Sequence, residues 1–159
     1  MRWALPTLLV VAPAAAHAHV VEGAAVGDAY AHALAALAGW ALLTVVITIV
    51  SVVRQPRGRT SSGLAVRDYA DPGYRASRAL GNAIEATGPF VAATVAAILA
   101  GASPFWVNLF ASTFLVARIA MFAVHVWTEN QPARSAFWSV GLVCTLALAG
   151  LAGWAAFAA

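Results

Sequence analysis

Arg78, Asn82, Glu85 and Pro89 stand at i, i+4, i+7 and i+11 within the stretch Arg75 to Pro89, so a helix would stack them on one stripe. Further along, Arg118, Met121 and His125 share a face through offsets of three and seven residues, and Arg134 is followed directly by Ser135. Guanidinium groups gathered beside an amide, an imidazole and a hydroxyl can hold carboxylates, because the arginine fork matches carboxylate geometry. The same residues can instead act only as a polar clamp between helices, and a proton or ion pathway is a third chemistry open to them. A pathway usually needs a longer polar track and more helices than this chain offers.

The elements that must position these residues are set by composition. Of 159 residues, 62% are hydrophobic and 9% charged, and the mean hydropathy is +0.83. A hydrocarbon core about 30 Å thick takes about 20 apolar residues per helix. Four such runs are present, at about Ala29–Val53, Ala76–Ala100, Pro104–Trp127 and Ser135–Phe157. The expected fold is an all-α membrane protein, a four-transmembrane-helix bundle. Asp71-Pro72 reads as a start signal just ahead of the second run, with proline tolerated in a first turn. Asn130-Gln131-Pro132 reads as the loop before the fourth run, which begins at Arg134-Ser135.

All nine basic residues are arginine, and six of them (Arg54, Arg57, Arg59, Arg67, Arg75, Arg78) lie at or near the connection between the first two runs. The positive-inside rule makes that connection cytoplasmic. The pI near 9.8 therefore reports topology and contact with membrane lipids, not a nucleic-acid partner. Cys144 is the single cysteine, which excludes an intrachain disulfide and leaves no metal-ligand spacing. His17 and His19 form an isolated pair without a third ligand, so no metal is expected. His32 reads as an interfacial or packing histidine. Residues 1–18 have a basic start, an apolar stretch and Ala16-His17-Ala18, the pattern of a signal peptide, with 19–159 as the membrane domain. An extra hydrophobic segment is the alternative.

Depth brings the polar residues together. At about 1.5 Å per residue, Glu85 lies roughly 10 Å beyond Arg78, and Arg118 lies roughly 13 Å back from Trp127. A lone charge at the bilayer centre costs about 3 kcal/mol or more, so Glu85 and Arg118 are expected as a structural ion pair. Arg78, Asn82, His125, Arg134 and Ser135 then remain near the cytoplasmic surface.

The series Arg78-Ala79-x-x-Asn82-x-x-Glu85-x-x-x-Pro89-Phe90 resembles the second-helix signature of the MAPEG family, the membrane-associated proteins in eicosanoid and glutathione metabolism. The stretch from Gly101 to Trp127 and the Pro132-Ala133-Arg134-Ser135 turn are similar to its prostaglandin E synthase and microsomal glutathione transferase members. The resemblance implies a homotrimer with glutathione as cofactor and a lipophilic small-molecule substrate. It implies glutathione-contacting roles for Arg78, Asn82, Glu85 and, at the end of the first helix, Arg54. Arg134 corresponds to the arginine beside the thiol and Ser135 to a neighbouring catalytic serine. Met121 and His125 stand where well-studied members carry tyrosines, His125 keeping a hydrogen-bonding side chain. Gly81 stands where the prostaglandin enzyme carries an arginine. The lysine-free, alanine-rich composition resembles bacterial members, which implies the inner membrane. The expected function is a glutathione-dependent transferase or peroxidase; the alternative is a non-catalytic membrane protein whose stripe fixes packing and oligomerisation.

Overall fold

The computed structural model describes residues 25–158. The signal-like segment and the His17/His19 pair lie outside them. Four long helices follow one another: α1 (Ala31–Val53), α2 (Pro72–Leu99), α3 (Pro104–Trp127) and α4 (Gln131–Ala158), each long and apolar enough to cross a membrane. Helices α2 and α3 pack on each other and on both α1 and α4.

The inward faces carry small residues and a few large rings. Trp40, Phe90 and Phe114 meet at the centre, with Phe90 stacked on Phe114 at 3.7 Å between centroids and Trp40 edge-on to Phe114 at 5.2 Å. The indole N–H of Trp40 donates to Thr87 Oγ1 at 3.1 Å, so a buried polar atom is satisfied between α1 and α2. Ala33 and Ala36 are fully enclosed, and a methyl on Gly39 would lie 2.7 Å from Leu115 Cδ2. The small residues of α1 thus admit α3 at close range. Long apolar side chains such as Leu42, Leu99 and Phe157 point outward, as lipid around a bundle requires.

The helix ends explain why the boundaries depart from the apolar runs. Helix α2 begins at Pro72, four residues before its run, because Asp71 caps it by accepting the Gly73 N–H at 2.9 Å. Helix α4 begins at Gln131, inside the expected loop and four residues before its run, because Asn130 Oδ1 accepts the Ala133 N–H at 3.0 Å. Pro132 is tolerated there since a first-turn N–H has no intrahelical acceptor. Arg134 and Ser135 therefore sit in the opening turns of a helix. Helix α1 has no side-chain cap of its own. Asn108 of α3 supplies one, accepting the Ala33 N–H at 2.9 Å and donating to the Ala29 carbonyl at 2.8 Å. Pro89 lies inside α2 without ending it. Gly101, at φ +68°, takes the left-handed conformation that turns α2 into α3.

Between α1 and α2 the chain makes a compact loop with an isolated bridge between Arg59 and Ala65 and a turn at Gly63, φ +85°. Asp71 ties this loop to α2 by also accepting the Arg57 N–H at 2.9 Å, which, with the cap bond, holds its carboxyl below the ordinary aspartate range.

Candidate functional site

Arg78 and Asn82 from α2, Met121 and His125 from α3, Arg134, Ser135 and Trp138 from α4, and Tyr69 from the α1–α2 loop line one polar cleft of about 150 Å³. It opens at the end of the bundle shared by the α1–α2 and α3–α4 connections. Five of the residues expected from sequence, Arg78, Asn82, His125, Arg134 and Ser135, are thereby brought together. Equal depth on neighbouring antiparallel helices is what makes residues so far apart in the chain adjacent.

The guanidinium of Arg134 is held on two sides. Its Cζ lies 4.7 Å from the Tyr69 ring centroid, and its Nη1 is 3.4 Å from His125 Nε2. Among the described residues no carboxylate pairs with it; the ion pair recorded there is Arg75 with Glu129, at 3.6 Å. His125 is 2% exposed, and its Nδ1 has no partner. Beneath the cleft, a void of about 20 Å³ shares Asn82, Met121 and His125 with it and reaches Arg118 and Trp40, room for about one water.

The expected Glu85–Arg118 ion pair is not formed within the chain. Depth counting gives height along a helix but not the direction a side chain takes around it. The face of α2 that enters the bundle carries Ala79, Ala83, Phe90, Ala93 and Ala97. The polar stripe runs along its flank, where Arg78, Glu85 and Pro89 are exposed and Asn82 is half-buried. Glu85 therefore lies outside the cleft on the surface of α2. Arg118 is 6% exposed and turns toward α4, where a methyl on Gly141 would lie 2.8 Å from its Nε. Its Cζ sits 5.0 Å from the Phe114 ring centroid, and Nη1 is 3.4 Å from Met121 Sδ. An aromatic face and a thioether surround this cation in place of a carboxylate.

Arg54 is also outside the cleft, half-buried with its Cζ 5.9 Å from the Trp127 ring centroid. Cys144 is enclosed in α4 and reduced, in keeping with a packing role. His32 is exposed near the start of α1. Among the described residues no group of histidines, cysteines and carboxylates could hold a metal. Tyr69 and Trp138 complete the cleft but have no helical spacing relation to the stripe. Their one sequence signal is aromatic character beside charged residues at a membrane boundary.

Compared with known proteins, residues 30–154 match the family model described as MAPEG family. Neither the curated proteins nor the solved structures contain a significant match.

Proposed function

The chain belongs to the MAPEG family, and on that premise we propose that it is a glutathione-dependent transferase or peroxidase acting on a lipophilic electrophile. The observation that carries this reading is the convergence of Arg78, Asn82, His125, Arg134 and Ser135 on one cleft. The donor set fits part of the tripeptide's chemistry: the Arg78 guanidinium for a carboxylate, the Asn82 amide for a peptide group, and the Arg134 guanidinium, with an imidazole and a hydroxyl beside it, for the thiol.

When bound, glutathione supplies a thiol whose deprotonated form attacks carbon or oxygen electrophiles. Arg134 is the residue that favours that form, since a fixed cation beside a sulfur lowers its affinity for a proton. Ser135, next to it in the lining, would offer a hydroxyl as a further hydrogen-bond donor. Arg78 and Asn82 orient the ligand from the α2 side of the cleft.

The cleft volume of about 150 Å³ is below the roughly 300–1,000 Å³ usual for a site enclosing a small molecule. In this reading the remainder comes from a neighbouring copy in a homotrimer. Glu85 and Arg54, both outside the cleft of their own chain, are the residues offered to that neighbour. An exposed carboxylate on the flank of a membrane helix is costly against lipid, which also supports a protein cover over Glu85. In this reading the arginine-rich end faces the cytoplasm, as the positive-inside rule favours, and the membrane is the bacterial inner membrane that the resemblance implies. A reporter fused after Ala159 should then read the opposite side.

The test is titration of the detergent-solubilised protein with glutathione while thiolate absorbance is followed, for wild type and Arg134→Ala. Saturable thiolate formation in wild type and its loss in the variant are expected. No response at millimolar glutathione would remove the reading. A non-catalytic role for the stripe is favoured by one observation, the placement of Glu85 away from the cleft. There, Glu85→Gln would weaken the oligomer with no ligand response to lose.

A further inference from the structure

Arg134 occupies the fourth position of α4, a poor place for a cation. The opening turn of a helix carries the positive end of its dipole, which disfavours arginine there. Arg78 lines the same cleft, and Arg75 lies close by with its charge directed to Glu129. Something other than a counter-charge must hold Arg134 in place. Among the described residues, the aromatic group beneath its guanidinium carbon is the ring of Tyr69.

Tyr69 is itself fixed. Its ring packs edge-on against Tyr74 at 5.1 Å and 84°, and its carbonyl accepts from Arg75 Nη1 at 2.6 Å. Arg75 also reaches the Ala70 carbonyl at 3.3 Å and Glu129 at 3.6 Å. Two residues on, Asp71 anchors the chain through the Gly73 and Arg57 N–H groups. The ring is thus held by the first turn of α2 and, through Arg75, tied to the connection that leads into α4.

A ring attracts a guanidinium without supplying an oxygen acceptor, whereas a carboxylate would occupy two of its five N–H donors. The contact to His125 engages one edge, and the other donors remain available to the cleft. A side chain already held in place has less rotamer entropy left to lose when a ligand binds.

We propose that Tyr69 is the positioning residue for Arg134: an aromatic platform that holds the guanidinium while leaving its donors open to an anion in the cleft. The link from this platform to thiol activation rests on the glutathione reading above.

Two variants and two measurements test it. Tyr69→Phe keeps the ring, and Tyr69→Leu removes it. In the glutathione titration, Tyr69→Phe should match wild type. Tyr69→Leu should lose about 3- to 30-fold in affinity, the range expected for a cation–π contact between exposed and desolvated limits, and move thiolate formation to higher pH. Independently of any ligand, the Arg134 Nε–H resonance in a nitrogen-15 spectrum, identified by its loss in Arg134→Ala, should carry a ring-current shift in wild type and Tyr69→Phe but not in Tyr69→Leu. Wild-type behaviour of Tyr69→Leu in both measurements, or an unshifted Arg134 signal in wild type, would overturn the proposal. No thiolate signal in wild type together with a Tyr69-dependent Arg134 shift would remove the glutathione reading and leave the platform standing. A thermal unfolding midpoint of Tyr69→Leu close to wild type shows that its loss is not a general folding failure.

Discussion

Gly141→Ala is the substitution that most directly tests how the chain accommodates Arg118. A methyl there would lie 2.8 Å from Arg118 Nε, closer than such atoms approach, and 3.1 Å from Cζ and Nη2, tighter than most such contacts. Something must move, and Arg118 is the more mobile partner, but its guanidinium is already seated against Phe114 and Met121 Sδ. Displacing it forfeits a cation–π contact of about 0.5–2 kcal/mol, and overpacking adds about 1–3 kcal/mol. The expected destabilisation is about 1.5–5 kcal/mol, the sum of these two ranges. Arg118→Met should behave differently. It removes a buried cation that no carboxylate neutralises, and exchanging buried charge for an apolar side chain of similar length is often neutral or stabilising. In the Arg118→Met background, Gly141→Ala should cost less than about 1 kcal/mol, a coupling typical of residues in direct contact. The measurement is a double-mutant cycle from denaturant unfolding in detergent, followed by tryptophan fluorescence. Additive effects, or a neutral Gly141→Ala in the wild-type background, would refute the contact.

Three further outcomes follow from the fold. Asn108→Ala leaves the Ala33 N–H and Ala29 carbonyl without their side-chain partner and should cost about 1–3 kcal/mol in the same unfolding assay. Gly73→Ala would drive a methyl into the backbone of Gln55 and Pro56, which cannot rotate away. A loss of about 3 kcal/mol or more is expected, seen as faster proteolysis of the α1–α2 loop. Asp71 has its carboxyl lowered from 3.8, chiefly by the Arg57 N–H. Its contribution to stability is therefore complete above 3.8 and is lost as pH falls through the lower folded value. The Asp71→Asn variant should lack that acid-dependent part of the unfolding midpoint when the two proteins are compared across the range.

The helices were legible because lipid imposes one demand on every turn, and about 20 apolar residues in a row have few other uses. Their starts were less so. Apolar runs mark where hydrocarbon begins, whereas helices begin where a side chain can take the first orphan N–H groups, and Asp71 and Asn130 do this on the aqueous side of each run. Depth brought Arg78, Asn82, His125, Arg134 and Ser135 to one level, because height along antiparallel helices is a sum of residues, but it did not give Tyr69 or Trp138. Direction around a helix is not such a sum. Ala79, Ala83 and Phe90 claim the inward face of α2, and this pushes the polar stripe to its flank.

The two arginines that sequence reasoning joined to the stripe illustrate the remaining limit. Arg118 and Arg134 are both held by aromatic faces, Phe114 and Tyr69, at 5.0 and 4.7 Å, and neither contact is an ion pair. A charge in an apolar chain prompts a search for the opposite charge, yet a ring offers attraction without a second charge to desolvate. For Arg118 that solution ends in a closed environment bounded by Gly141. For Arg134 it leaves donors exposed to a cleft. The same physical device thus yields one buried cation with no room for a ligand and one presented to it, and the difference lies in what stands opposite the ring. The glycine of α4 admits the first guanidinium into the bundle, whereas the loop that carries Tyr69 keeps the second at its mouth.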